Sequence, residues 1–175
     1  MMGHRVLDAA HDGERAAPAT GENRPNRLQS GGDVSDELRK LAYDVFDLLT
    51  SYVAVHDEQL AGASLIKPID FGKNAGVLRS VSSGIEQARL RSAELRVAAN
   101  QAHRSYLDAM DSYLDCLADT VSRFTAITEK LASKAQGQSY GFWAYRSDMK
   151  GYKASAVKYQ TQGATLKRAW DVAGL

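Results

Sequence analysis

The sequence is poor in the residues that break helices or cross-link chains. It has three prolines in 175 residues, and none follows Pro68. Because proline disrupts a helix interior, the chain beyond Pro68 is free to form long uninterrupted helices. The single cysteine, Cys116, excludes an internal disulfide. We expect Cys116 to pack in the core as a small apolar residue.

The sequence also lacks a strong net charge and a long apolar run. Its net charge of +1 argues against a general binder of nucleic acid or another polyanion. No stretch approaches roughly eighteen consecutive apolar residues, so no transmembrane helix is predicted. Asp8, Asp12 and Glu14 interrupt the region where a signal peptide would be apolar. We therefore expect a protein that is cytoplasmic, or exported without a cleaved signal peptide.

Sequence motifs of catalysis and cofactor binding are missing as well. The chain has no His-Glu-x-x-His, Cys-x-x-Cys or Glu-x-x-His pattern, so zinc and di-iron sites have no support. It has no phosphate-binding glycine loop and no nucleophile elbow. These absences favour a protein that is not an enzyme and that uses no cofactor, metal or small-molecule substrate.

One acidic stripe supports a metal site as an alternative. Spacings of three, four and four residues place four aspartates on one helical face: Asp108, Asp111, Asp115 and Asp119. Such carboxylates hold a hard cation when a second helix adds oxygen ligands. The simpler interpretation, which we prefer, is a solvated face or a face that pairs with a basic helix.

Two segments are predicted to lie outside the regular helices. Residues 1–32 are rich in glycine, proline and charge and lack apolar periodicity, so they are predicted to be a disordered tail, either inert or a signal for export or partner binding. Residues 61–73 contain Gly62, Pro68 and Gly72 among apolar residues. We expect this connection to cover one end of the bundle, with an exposed docking patch as the alternative.

The first predicted helix covers residues 33–60. Seven apolar residues follow the alternating spacing of four and three that is typical of a helix seam: Val34, Leu38, Leu41, Val45, Leu48, Tyr52 and Val55. Phe46, Leu49 and Val53 widen this stripe beyond what a single neighbouring helix covers. The first helix is therefore predicted to need more than one neighbour.

The second predicted helix is the longest and covers residues 74–135. Its seam runs from Leu78 to Tyr113, then shifts by one residue and continues from Leu114 to Leu131. A straight helix drifts against a strict heptad, so this shift is compatible with one long helix. The sequence leaves open whether the helix is continuous or bends near Asn100.

The third predicted helix covers residues 140–172. Its seam is rich in aromatic side chains: Tyr145, Met149, Tyr152, Ala156, Tyr159, Gly163, Leu166 and Trp170. Six basic residues share this helix: Arg146, Lys150, Lys153, Lys158, Lys167 and Arg168. Because the seam aromatics are expected in the core, Phe142 and Trp143 are the aromatic residues most available to a partner.

These patterns predict an all-α protein. Three long heptad-patterned antiparallel helices would form a coiled-coil-like helical bundle with up-down-up topology in residues 33–175, after the disordered N-terminal tail. The first and third helices either pack along successive halves of the second, or the second helix bends and all three form a compact bundle. The first helix is acidic and the third is basic, which favours their pairing within one chain or between two chains.

The function that fits these predictions best is a non-catalytic interaction or assembly protein. It would act through coiled-coil packing with itself or with a partner helix, and a bacterial secretion-associated or filament-type subunit is one such protein. The residues predicted to make the contacts are Phe142, Trp143, Lys150, Lys153, Lys158, Phe46, Leu49 and Val53. The alternatives are a membrane-surface (lipid) binder that uses the basic third helix, and a helical metal protein that uses the aspartate stripe.

Overall fold

Four α-helices make up the described part of the chain. The computed structural model describes residues 31–60 and 68–175, which contain no strand, so the all-α prediction is confirmed there. The helices are α1 (Gly31–Leu60), α2 (Phe71–Arg96), α3 (Gln101–Ala135) and α4 (Phe142–Ala173). The predicted tail lies outside the described residues, except that α1 already includes Gly31 and Gly32. Residues 61–67 of the predicted connection lie outside them too.

The second predicted helix is two helices in the structure, which corrects the predicted count of three to four within the described residues. Helix α2 ends at Arg96 and α3 begins at Gln101, so residues 97–100 connect the two helices. The side chain of Asn100 caps α3, because its Oδ1 accepts a 2.8 Å hydrogen bond from the backbone N–H of His103. Leu95 and Ala99 are both buried, so the apolar spacing continues through the turn and does not reveal it.

Each helix runs antiparallel to the helix before it. Arg79 of α2 pairs with Glu129 of α3, whereas Arg96, near the other end of α2, pairs with Asp108. The same reversal relates α1 to α2 and α3 to α4. The main packing contacts join consecutive helices, so the bundle is up-down-up-down. The predicted bend in the second helix is therefore a full reversal of direction.

The seam predicted in α1 forms one side of the core. Six of its seven residues are buried, and Leu48 is half-buried. Leu48 packs on Gly84 of α2, where an added Cβ would clash with the leucine side chain. Gly84 thus lets α1 and α2 approach closely, although glycine costs about 1 kcal/mol relative to alanine within a helix. Cys116, which was expected in the core, is half-buried.

Helix α4 is less buried than the other three helices. In α4 the buried residues are Met149, Tyr152 and Ser155. The other aromatic residues of its predicted seam, Tyr159 and Trp170 among them, are half-buried. The reason is that α4 packs closely on α3, while its approach to α1 is too loose to enclose the second side of the seam. The core prediction for this helix is thus correct for Met149 and Tyr152 and too strong for Tyr145, Tyr159 and Trp170.

Candidate interaction surface

Exposed apolar side chains are concentrated on α1 and α4. Nine large apolar residues are strongly exposed in the described part, and two of them, Leu90 and Val97, belong to α2 and the turn that follows. The other seven lie on α1 and α4: Tyr43, Phe46, Val53, Phe142, Trp143, Val157 and Val172. Single exposed apolar residues are ordinary, whereas a concentration on two adjacent helices is typical of an interaction surface.

An apolar groove runs between α1 and α4 and has α3 as its floor. Phe46 and Leu49 belong to the α1 wall, and Leu166 and Trp170 belong to the α4 wall. The floor is made of α3 side chains: Tyr106, Met110 and Tyr113. The groove has a volume of about 240 Å³, and Phe46 is 62% exposed at its edge. The half-buried seam residues Leu166 and Trp170 of α4 are exposed to water in this groove.

A cluster of aromatic rings holds α1 and α4 together at one end of the groove. The hydroxyl oxygens of Tyr52 and Tyr152 lie 2.5 Å apart in a buried hydrogen bond, and the rings of Phe124 and Tyr152 stack with centroids 4.9 Å apart. Burial is the main reason that the pKa of Tyr152 rises to about 12. Burial and the hydrogen bond to Tyr152 also raise the pKa of Tyr52 far above its ordinary range. Both hydroxyls therefore stay neutral, and their bond sets the spacing of the two helices.

Charges on α1 and α4 are opposite in sign but do not pair with each other. Three acidic residues of α1 are exposed and form no ion pair among the described residues: Asp44, Asp47 and Glu58. Five basic residues of α4 share this state, namely Arg146, Lys150, Lys153, Lys158 and Arg168, and so does Lys40 of α1. The predicted pairing of the acidic and basic helices is therefore not made within the described part of one chain. The alternative between two chains stays a prediction.

The aspartate stripe of α3 is bound to arginines. The partners come from α2 and α3: Arg96 for Asp108 and Asp111, Arg89 for Asp115, and Arg123 for Asp119. The basic α4 takes no part in these pairs, so the stripe pairs with a helix that the sequence did not suggest. Across residues 31–60 and 68–175, no group of three or more His, Cys, Asp or Glu side chains is placed to hold a metal ion.

The predicted contact residues of α1 come together at the groove. Phe46 and Leu49 line the same wall, 62% exposed and half-buried respectively. Val53 follows Phe46 after two helical turns and is also exposed. The stripe that these residues widen in the sequence is therefore the side of α1 that turns toward α4 without being covered by it.

The predicted contact residues of α4 lie on its outer side, near the start of the helix. Trp143, Lys150 and Lys153 line an open depression of about 550 Å³, and Trp143 is 75% exposed. Phe142 lies against Trp143 with ring centroids 5.4 Å apart. Lys158 is exposed farther along the helix. None of the four described helices combines the length and apolarity that crossing a bilayer requires.

Sequence reasoning missed a second seam on each of these two helices. The outer seam of α1 keeps the spacing of four and three on solvent-facing residues: Arg39, Tyr43, Phe46, Thr50, Val53 and Asp57. The outer seam of α4 does the same with smaller side chains: Trp143, Ser147, Lys150, Ala154, Val157, Thr161, Ala164 and Arg168. All but Arg39 are exposed. The spacing rule that finds the buried seams also finds these, once the more apolar seam is set aside.

Comparison with known proteins identifies no family for this chain. No protein-family model matches it, no curated protein is significantly similar to it in sequence, and no solved structure is significantly similar to it in fold.

Proposed function

We propose that the protein is a non-catalytic interaction protein that binds a helix on its α1–α4 face. This face consists of the groove and the outer seams of α1 and α4. The single observation that carries the proposal is the open groove, whose apolar walls are left partly in water above a buried floor. Grooves between helices receive the apolar side of an amphipathic helix, which presents residues three and four positions apart.

The composition of the face is suited to coiled-coil packing. Tyr43, Phe46 and Val53 offer apolar area that contributes about 25 cal/mol for each square ångström removed from water. Exposed aromatic residues near the centre of an interface often carry much of the binding energy. Lys150 on the outer seam of α4, which is unpaired within the described residues, would select the partner and its direction more than it adds affinity.

Photo-crosslinking in the native host tests this proposal. A photoreactive amino acid replaces Phe46 in one chain and Leu90 in a matched control, because both residues are exposed apolar side chains, at 62% and 68%. We expect the chain altered at residue 46 to form a covalent adduct with protein and the chain altered at residue 90 to form none. The proposal is wrong if residue 46 gives no adduct, gives only lipid adducts, or gives the same protein adducts as residue 90.

The outer side of α4 favours a second candidate, binding to an anionic membrane surface. The observation behind it is the exposed combination of Trp143 with Lys150 and Lys153 around one depression. Aromatic residues insert at the headgroup level, and each lysine near an anionic surface adds about 1 kcal/mol of attraction. Such binding is electrostatic in large part, so salt weakens it.

Tryptophan emission distinguishes this candidate from the helix-binding proposal. Vesicles that contain phosphatidylserine are added to the full chain at physiological salt. If the membrane is the partner, emission shifts to the blue, and replacing Lys150, Lys153 and Lys158 with glutamine abolishes the shift. An unchanged spectrum in both chains rejects the second candidate.

A further inference from the structure

We infer that the helix bound on the α1–α4 face belongs to a second copy of this chain, in a two-fold dimer whose axis runs parallel to the helices. This inference rests on the proposed function and names its partner. A two-fold axis in this direction places α1 of each copy on α4 of the other, because the two helices lie side by side on the same face. The interface is then the same patch on both copies, as in most homodimers.

The direction of the axis follows from the side chains on the two outer seams. The outer seam of α1 carries the bulky Tyr43 and Phe46 and ends in Asp57, whereas the outer seam of α4 carries small side chains and Lys150. An axis perpendicular to the helices would place α1 on α1, so that the bulky side chains of the two copies meet. The parallel axis places α1 on α4 twice, once for each copy, and sets bulky side chains against small ones. Complementarity of this kind selects one arrangement over another.

The register of the dimer follows from the aromatic cluster. Tyr52 contacts both Tyr152 and Tyr159, so it lies level with the stretch of α4 between them. A two-fold axis parallel to the helices preserves level, so residues that are level within one chain face each other across the interface. In that register, each residue in the outer seam of α1 faces one residue in the outer seam of α4 from the other copy.

The seam residues that meet are complementary in size. Each bulky residue of α1 faces a small residue of α4 from the other copy: Tyr43 faces Ala164, Phe46 faces Thr161, and Val53 faces Ala154. Large residues opposite small ones let helices approach and interdigitate, as in knobs-into-holes packing. The groove lies between the two seams of each copy, so the dimer covers it.

Charged residues at the ends of the seams follow the same register. Asp57, which lies 3.0 Å from His56 Nδ1 in its own chain, faces Lys150 of the other copy, and this pair occurs twice in the dimer. Arg39 would face Arg168, but Arg39 already binds Asp36 at 2.9 Å within its own chain, which reduces that repulsion. The Asp57–Lys150 contact is therefore the charged pair on which the arrangement depends most.

The mass of the purified full chain in solution is the first test. We expect a dimer by sedimentation, and we expect Phe46→Asp to raise the dimer dissociation constant at least about thirtyfold, since the residue lies at the centre of the seam. Leu90→Asp is the matched control and should leave the dissociation constant unchanged. Circular dichroism must show that both variants keep the native helix content. A monomeric wild-type chain at tens of micromolar would overturn the inference.

Charge reversal tests the register. Asp57→Lys alone and Lys150→Asp alone should each weaken the dimer about tenfold, because each makes two like-charge contacts. Mixing the two variant chains should restore wild-type affinity, since the mixed dimer then has one native and one reversed pair. If the mixture does not regain wild-type dimer affinity, this register is wrong. A face that binds another protein would not respond to mixing.

Disulfide trapping separates failure of the inference from failure of the proposed function. In a Cys116→Ser background, a Val53→Cys chain is mixed with an Ala154→Cys chain under mild oxidation. We expect a reducible mixed dimer, and we expect none when a Leu90→Cys chain replaces the Ala154→Cys chain. If no mixed dimer forms while photo-crosslinking at residue 46 yields an adduct of another protein, the helix-binding function stands and the second copy is wrong.

Discussion

The α2–α3 side of the bundle and the α1–α4 side differ in how far their charged and apolar side chains are paired or buried within the chain. Across α2 and α3, arginines meet carboxylates in ion pairs such as Arg79–Glu129 and Arg89–Asp115. Across α1 and α4, no ion pair forms among the described residues, and most of the exposed large apolar side chains lie there. One side has its surface chemistry satisfied by the chain itself, whereas the other leaves both charge and apolar area available.

This difference teaches that heptad spacing does not by itself distinguish a core from an interface. α1 has one seam that the bundle buries and another that it leaves in water, and both keep the same spacing. The two seams differ in burial, with Leu41 at 2% and Phe46 at 62% exposure, and not in spacing.

The largest difference in stability is expected between a substitution on the buried side of α1 and one on its outer side. Leu41 is 2% exposed and Phe46 is 62% exposed on the same helix. Leu41→Asp should destabilise the fold by at least about 4 kcal/mol, because an unpaired carboxylate in the core is costly, and the chain should lose its cooperative thermal transition. Phe46→Asp should keep that transition. Similar melting curves for the two variants would remove the distinction between the sides of α1.

Alkaline pH should weaken the packing of α4 on α3, where Tyr113 and Tyr152 are buried. Burial raises the pKa of Tyr113 and of Tyr152 to about 12, above the value of about 10 for unfolded tyrosine. The stabilisation from the neutral hydroxyls is therefore complete below about pH 10 and is lost as the pH rises toward 12, by up to about 2–3 kcal/mol for each tyrosine. Melting temperature measured from pH 8 to pH 12 checks this. A Tyr152→Phe chain should lose less stability over that range, and an equal loss would count against the assignment.

The hydrogen bond between Tyr52 and Tyr152 should show a non-additive effect. Tyr52→Phe or Tyr152→Phe alone leaves one buried hydroxyl without its partner, which costs about 1–3 kcal/mol. The double variant removes both hydroxyls and should cost less than the sum of the single variants. Denaturant unfolding of the four chains measures the coupling. Strict additivity would show that the bond does not fix the spacing of α1 and α4.

The smallest effects should come from surface charge and should differ between the two sides. Arg96→Gln removes ion pairs to Asp108 and Asp111 and should lower stability by about 0.2–1 kcal/mol. Lys150→Gln removes no intramolecular ion pair among the described residues and should leave the stability of the monomer unchanged. Chemical denaturation at low and high salt compares the two. If Lys150→Gln lowers the free energy of unfolding more than Arg96→Gln does, the contrast between the two sides is wrong.

The sequence predicted the interior of α1, α2 and the second half of α3 well, because burial there follows directly from spacing, but it missed Leu107 and Met110 in the first half of α3. Leu38, Leu78 and Leu114 all belong to predicted seams, and none of them has measurable exposure. In α4 the same rule placed Trp170 in the core, although it is half-buried in the groove wall. Spacing identifies which side of a helix is apolar, but the distance to the next helix decides how far that side is covered.

The reversal between α2 and α3 was harder to predict. Its marker is the polar cap supplied by Asn100, whereas Ala99 continues the apolar pattern. The arginine partners of Asp108 and Asp111 depend on that reversal, because Arg96 reaches them only when α2 folds back on α3. Apolar spacing does not show which charged residues of α2 and α3 pair, because they would lie far apart along one straight helix. The partners of the aspartate stripe could therefore not be predicted without the turn.

The short turn after Arg96 also permits a second arrangement of the four helices, one that uses two chains. Leu95, Ala99 and Tyr106 are all buried in apolar register, so straightening residues 97–100 would join α2 and α3 into one rod without disturbing the seam. A straightened chain would carry α1 and α2 away from its own α3 and α4. Two such chains could exchange these halves and rebuild both bundles, which is domain swapping. The cap that Asn100 places on α3 favours the reversed chain over the straightened rod by about 1 kcal/mol.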